Sequence, residues 1–182
     1  MRKLLFVIAL ISCASQNNIR TVKNFQAARD SGDLSAAQAY IAPGARMWFE
    51  EKKGEGEAYV PGGGSWSHWD SDFHSMNRLT DWREDGRSVT ATVYETNDFM
   101  RLLDWHAPPY TMTWWLDDQN RITEVLIKGG GKAQSRFEEF KAWARQNHPA
   151  ELEYLMPGGR LDPTGDRAER WRSVLEEWRK SR

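Results

Sequence analysis

Residues 87–97 read RSVTATVYETN and alternate between two faces, as the residues of a half-buried β-strand do. One face is apolar in the order Val, Ala, Val and then ends in Glu95 and Asn97, whereas the other face carries Thr and Tyr. Downstream, two further alternating runs at 110–116 and 121–128 flank the turn sequence DDQN. Such a pair predicts a β-hairpin that continues the sheet begun by the first strand.

Helical periodicity surrounds this sheet on both sides. Apolar residues at helical spacing predict two N-terminal helices, at 19–31 and 34–41, and Asp33 is well placed to cap the second. A strand at 45–50 and a Gly-rich loop follow. A stripe of Trp66, Trp69, Phe73 and Met76 predicts a helix over 65–76, and the tail from about residue 132 is predicted to be helical.

Composition excludes several classes of protein. A chain of 182 residues is long enough for one domain with a core and too short for two ordinary domains. The formal charge of −1 gives no basic surface for nucleic acid, so we expect no nucleic-acid partner. Ten tryptophans are typical of an aromatic core, an aromatic-lined cavity or an interface, and the periodicities distribute them over both helices and strands.

The N-terminus resembles a bacterial lipoprotein signal. Arg2 and Lys3 precede eight apolar residues at 4–11, far fewer than the roughly 20 that span a bilayer, as in the apolar core of a secretory signal. The next residues complete the sequence LISC, which is similar to the lipobox and contains the only cysteine, Cys13. The resemblance implies export, lipidation of Cys13 and a membrane-anchored position in the cell envelope, facing the periplasm in a Gram-negative host.

The alternative for this segment is a plain secretory signal cleaved near Ser12 or Ala14, or an uncleaved anchor. With one cysteine, the chain has neither an intrachain disulfide nor a cysteine zinc site.

Several short motifs resemble the nuclear transport factor 2-like superfamily, often called SnoaL-like in bacteria. They are AARDSGDL at 27–34, YIAPGA at 40–45, the Trp69 and Phe73 helix, and DQNRITE at 118–124. The resemblance covers about 19–128. It implies an α+β fold in which a curved antiparallel sheet wraps around N-terminal helices into a cone. We therefore expect a signal peptide at 1–12, a tether at 13–18, the cone-shaped domain at 19–131 and a C-terminal helical extension at 132–182.

Two sets of residues are candidates for catalysis. If the apolar face of the 87–97 strand points into the cone, Glu95 enters an apolar cavity beside Asn97, and desolvation would prepare it as a general base. The alternative is that both are solvated, or that Glu95 pairs with an arginine. Asp70 and His74, four residues apart on one helix flank, would form a carboxylate–imidazole dyad; the alternative is a surface pair.

Aromatic residues are candidates for the wall of a ligand pocket. Trp114, Trp69, Tyr40 and Trp48 fill this role in our prediction, with Asn97 as a polar contact, although each of these aromatics equally suits a core. The four histidines lack metal-binding helical spacing, so we predict no metal site and no cofactor.

The favoured function is a lipid-anchored binding module for a small apolar or aromatic molecule or for a protein partner. The alternative is a cofactor-independent isomerase, dehydratase or cyclase that uses Glu95 or the Asp70–His74 dyad. The resemblance also implies a third option, a homodimer, because an open sheet face of this superfamily often pairs. Fold alone does not determine which of these functions applies.

Overall fold

The computed structural model describes residues 18–60, 69–70, 72–129, 135–162 and 166–182. The predicted signal peptide, Cys13 and Trp66 lie outside these residues. The chain divides into two compact units, one built from described residues within Met1–Pro61, Arg78–Val93 and Pro109–Gly129, the other from described residues within Gly62–Asn77, Tyr94–Pro108 and Gly130–Arg182.

A six-stranded sheet with the order β2-β1-β6-β5-β4-β3 organises the first unit. β5 is antiparallel to both β4 and β6, and the predicted hairpin of β5 and β6 is confirmed. β1 runs parallel to β6, so the sheet is mixed rather than wholly antiparallel. The strands are β1 Ile41–Phe49, β2 Glu57–Ala58, β3 Met76–Asp85, β4 Ser88–Thr96, β5 Tyr110–Leu116 and β6 Ile122–Gly129.

Two helices precede the sheet, as the sequence predicts. The first, α1, is helical over 18–30, and the second, α2, spans Leu34–Gln38. The Asp33 carboxylate accepts a hydrogen bond from the Ala36 backbone N–H at 2.9 Å, which confirms the predicted cap. The second helix is shorter than predicted because the chain already enters β1 at Ile41.

The core of the first unit joins these helices to one face of the sheet. Val22 and Phe25 of α1 are completely buried. Beneath them lie the alternate residues of β4 and β5, each 4% exposed or less: Val89, Ala91, Val93, Met112 and Trp114. The opposite face carries Thr90 and Thr113, whose hydroxyls hydrogen-bond across the strands at 3.0 Å. The alternation seen in the sequence thus separates a packed face from a polar one.

The second unit is mainly helical. Trp171 is completely buried at its centre, and its ring lies 5.4 Å from that of Phe99 and 5.6 Å from that of Phe140. Such tilted and edge-to-face pairs are favourable arrangements for aromatic rings. The helices are α3 Asp98–Leu102, α4 Ser135–Asn147, α5 Pro149–Leu155 and α6 Arg167–Lys180, with a 3₁₀ turn at Pro157–Gly159.

The helix predicted over 65–76 is wrong at its C-terminal end. Only residues 69, 70 and 72 are helical among those described, and His74 has a φ of 50°, which reverses the chain. The Ser75 N–H bonds to the Asp70 carbonyl oxygen at 2.8 Å, and Met76 then begins β3 with 62% of its surface exposed. Met76 therefore belongs to a strand and not to the predicted helix.

Among the described residues, we find no helix with the length and apolar character required to cross a membrane.

Candidate functional site

Asn97 joins the end of β4 to the start of α3. Its side-chain oxygen accepts a hydrogen bond from the Met100 backbone N–H at 2.8 Å, so Asn97 is the N-cap of this helix. Its amide nitrogen donates to Glu95 Oε1 at 3.0 Å. Asn97 is only 3% exposed, whereas Glu95 is half-buried. Both polar groups of the Asn97 side chain are therefore used within the protein, in a helix cap and in a bond to the candidate base.

His74 makes a carboxylate–imidazole pair with Asp98. The imidazole Nδ1 lies 2.7 Å from Asp98 Oδ2, and 71% of the His74 side chain is exposed. The sequence predicts this kind of pair with Asp70 as the carboxylate. Asp98 takes that role in the structure because the left-handed backbone at His74 turns the chain toward the start of α3. In addition, the Asp98 N–H bonds to the Phe73 carbonyl oxygen at 2.8 Å.

Two arginines share the same carboxylate. The Asp98 side chain is 14% exposed and accepts hydrogen bonds from Arg101 of its own helix and from Arg172 of α6, the latter at 3.1 Å. Arg172 also donates to the Asp72 carbonyl oxygen at 2.6 Å and lies over the Phe73 ring, 5.3 Å from its centroid. An aspartate that orients a histidine can prepare it for proton transfer. Here the negative charge of Asp98 also ties α6 to the turn before β3.

The four predicted aromatic wall residues fall into three environments. Trp114 is completely buried in the sheet core and stacks on Trp82 at 6.2 Å, and Tyr40 packs against the same core. Trp69 is 4% exposed in the helical core, with its ring 4.4 Å from Phe73. Trp48 is half-buried and lies near a lysine of the following loop.

A cluster that the sequence reasoning missed surrounds that lysine. The Lys52 ammonium lies 3.4 Å from the centroid of the Trp115 ring and 5.6 Å from that of Trp48, and it forms an ion pair with Glu124. Strict alternation would place Glu124 on the same face as the buried Ile122. The register between β5 and β6 shifts between Trp115 and Leu116, so Glu124 lies opposite Trp115 instead.

Hydrogen bonding changes the acidity of two carboxylates outside these clusters. Burial by itself would raise the pKa of Asp117, but hydrogen bonds from Arg121 and from the Gln119 backbone N–H outweigh burial and lower it. At the start of α6, a hydrogen bond from the Tyr154 hydroxyl lowers the pKa of Asp166 and raises that of Tyr154. Both sites are structural: the first closes the β5–β6 turn, and the second joins the segment before α6 to α5.

Described residues of the helical unit line open surface cavities. One of about 300 Å³ is lined by Leu102, Glu176, Arg179 and Lys180. Another, of about 270 Å³, lies next to the Arg172 guanidinium and is lined by Asp72, Asp166, Ala168, Glu169 and Arg172. Within the described part of the chain, no group of three or more His, Cys, Asp or Glu residues is arranged to hold a metal ion.

Comparison with known proteins identifies the fold. No protein-family model matches the sequence, and no curated protein sequence matches it. A protein of unknown function with a cystatin-like fold from Methylobium petroleophilum has a TM-score of 0.53 at 11% identity, over 66% of this chain and 80% of its own.

Two further solved structures are more distant. An NTF2-like protein of unknown function from Cytophaga hutchinsonii has a TM-score of 0.45 at 11% identity, over 62% of this chain and 88% of its own. A candidate polyketide cyclase from Sinorhizobium meliloti has a TM-score of 0.48 at 16% identity, over 60% and 94%. The chain thus has an α+β fold, as predicted, with a likeness to the cystatin-like structure, and similarity at this level concerns the fold alone.

Proposed function

We propose that the protein is a non-catalytic binding module of the cell envelope, anchored by a lipid on Cys13, which recognises a small apolar or aromatic molecule or a protein partner at its surface. One observation favours a ligand site at the surface over a pocket inside the domain. The sheet face expected to line a pocket is filled by side chains, with Val89 and Ala91 completely buried beneath α1. A ligand in that position would have to displace a packed core.

The use of the candidate catalytic groups supports the same proposal. Asn97 caps a helix, Glu95 accepts its amide, and Asp98 is shared among one histidine and two arginines. A general base in a cavity needs a free position for substrate beside it. Groups already committed to internal bonds fit a scaffold better than a reaction centre.

A cofactor-independent enzyme is the second candidate, and the exposed His74 imidazole beside Asp98 favours it. Isomerases, dehydratases and cyclases of this kind begin by removing a proton next to a carbonyl group. Incubation in D₂O with a panel of ketones and β-keto esters, followed by NMR, detects such proton removal as deuterium incorporation. The binding-module proposal predicts no incorporation above a protein-free control. Incorporation that His74→Ala abolishes would contradict it and establish the enzyme.

The lipid anchor is tested separately in the native host. Metabolic labelling with an alkyne fatty acid should label the wild-type protein and a Ser15→Ala variant but not Cys13→Ala, which should also leave the membrane fraction. The Ser15→Ala variant is the matched control, because it changes a small residue two positions from Cys13 and leaves the cysteine intact. Equal labelling of all three proteins would refute the anchor.

A further inference from the structure

Three side chains of the sheet enclose the ammonium group of Lys52 on the face opposite α1. Trp115 of β5 provides the nearest ring, with its centroid 3.4 Å from Nζ, and Trp48 of β1 provides a second at 5.6 Å. The carboxylate of Glu124 on β6 forms an ion pair with the same group. Two indole faces and a carboxylate are the elements with which proteins recognise organic ammonium ions.

The strand register builds this arrangement independently of Lys52. Trp115 is directly opposite Glu124 across β5 and β6, and Trp48 is level with Leu126, two residues further along β6. All four therefore share one face of the sheet. This aromatic pair contributes nothing to the core beneath α1, which is made by the opposite face of the sheet.

We call the group formed by Trp115, Trp48 and Glu124 the cage. Lys52 reaches it from the loop 50–56 between β1 and β2, which we call the strap. The strap is held at both ends: the Glu50 N–H bonds to the Ile127 carbonyl oxygen at 2.7 Å, and Arg46 donates to the Gly56 carbonyl oxygen at 3.4 Å. The Gly56 backbone lies so close to the Trp48 indole that an added Cβ would be 2.5 Å from the ring.

We infer that Trp115, Trp48 and Glu124 form a binding site for a small organic ammonium ion, and that Lys52 occupies it as an internal ligand that such an ion displaces. The inference concerns a site separate from His74 and does not depend on the lipid anchor. An alkylated ammonium fits it because its positive charge pairs with the carboxylate while its methyl groups contact the indole faces.

Displacement is feasible because the site is open to solvent. The side chains of Lys52 and Glu124 are 35% and 39% exposed. A group tethered by a short segment of the same chain competes at an effective concentration of about millimolar, so the wild-type protein binds the free ion weakly. Removal of the Lys52 ammonium should unmask the site.

The test titrates choline into the full-length chain in a non-ionic maltoside detergent and follows binding by calorimetry. Lys52→Ala should bind choline at least tenfold more tightly than the wild type does. Lys53→Ala is the matched control, because Lys53 is the adjacent lysine, is 76% exposed and pairs with Glu51 outside the cage. It should bind choline as the wild type does. The double variant Lys52→Ala/Trp115→Leu should bind choline as weakly as the wild type does.

A neutral probe isolates the role of charge. 3,3-Dimethylbutan-1-ol has the shape of choline without its positive charge, and it should bind Lys52→Ala at least tenfold more weakly than choline does. Circular dichroism spectra that match the wild type show that each variant is folded. The inference is overturned if Lys52→Ala binds choline no better than Lys53→Ala, if the neutral probe binds equally well, or if the loss of Trp115 has no effect.

Discussion

The replacement of Asn97 by alanine separates a structural role from a ligand-binding role for this residue. In the structure, its oxygen caps α3 through the Met100 N–H, and its amide nitrogen bonds to Glu95 at 3.0 Å. Asn97→Ala removes both contacts, and because Asn97 is 3% exposed and its bond to Met100 is buried, water does not readily replace the lost cap. Because the structural role requires no ligand, the purified protein alone should reveal the effect.

The expected loss of stability is the sum of two contributions. Loss of an N-cap costs about 0.5–2 kcal/mol, and loss of a neutral hydrogen bond costs about 0.5–1.5 kcal/mol. Asn97→Ala should therefore lower the free energy of unfolding by about 1–3.5 kcal/mol. With a urea m-value of about 2 kcal/mol/M, the unfolding midpoint should fall by about 0.5–1.8 M. The measurement is urea unfolding at constant pH, followed by circular dichroism.

Two further variants make this prediction specific. Asn97→Ser keeps a capping oxygen and loses only the bond to Glu95, so it should be destabilised by about 0.5–1.5 kcal/mol. Asn147→Ala is the matched control, because that asparagine makes one exposed hydrogen bond to the Trp143 carbonyl oxygen, at 2.8 Å. Equal unfolding midpoints for Asn97→Ala and Asn147→Ala would refute the structural role of Asn97, as would an Asn97→Ser variant that is no more stable than Asn97→Ala.

Core packing, a close backbone approach and one carboxylate each set a measurable part of the stability. Trp171→Ala removes a fully buried ring from the centre of the helical core and should cost about 3–5 kcal/mol in urea unfolding, whereas Ser173→Ala, exposed on the same helix, should change stability little. Gly56→Ala should destabilise the protein, because its Cβ would meet an indole at 2.5 Å; Gly54→Ala is the control, with a similar positive φ and no atom within 4 Å. The pKa of Asp117 is lower in the folded state than its usual value of 3.8. Its ionised form therefore stabilises the fold above pH 3.8, and this stability is lost as the pH falls through the folded-state pKa. Urea unfolding between pH 7 and pH 3 should show wild type more stable than Asp117→Asn at neutral pH and the difference shrinking with acid; a constant difference would contradict it.

Much of the fold was predictable because local signals agree with the tertiary structure. The alternating run at 87–97 forms β4, the DDQN turn joins β5 to β6, and Asp33 caps α2. Each of these depends on residues close together in the chain. The parallel pairing of β1 with β6 was missed, since it joins strands about 80 residues apart and leaves no local pattern.

The candidate site was harder to predict because it depends on local irregularities of the backbone. A positive φ at His74 and a shifted register beside Trp115 each change the partner of a polar side chain. The imidazole was thus expected beside Asp70 and lies beside Asp98, and Glu124 lies beside Lys52. Alternation predicts which residues of a regular strand share a face. It does not predict the residue at which a bulge interrupts the strand.

The polar face of the sheet is the better place to look for function in this fold. Apolar residues on the face under α1 are explained by burial alone, and Trp114 needs no further role. Trp115, its neighbour on the other face, is not explained in this way, because it belongs to neither buried core. A large aromatic side chain beside a carboxylate outside the core requires another reason, and recognition of a cation supplies one.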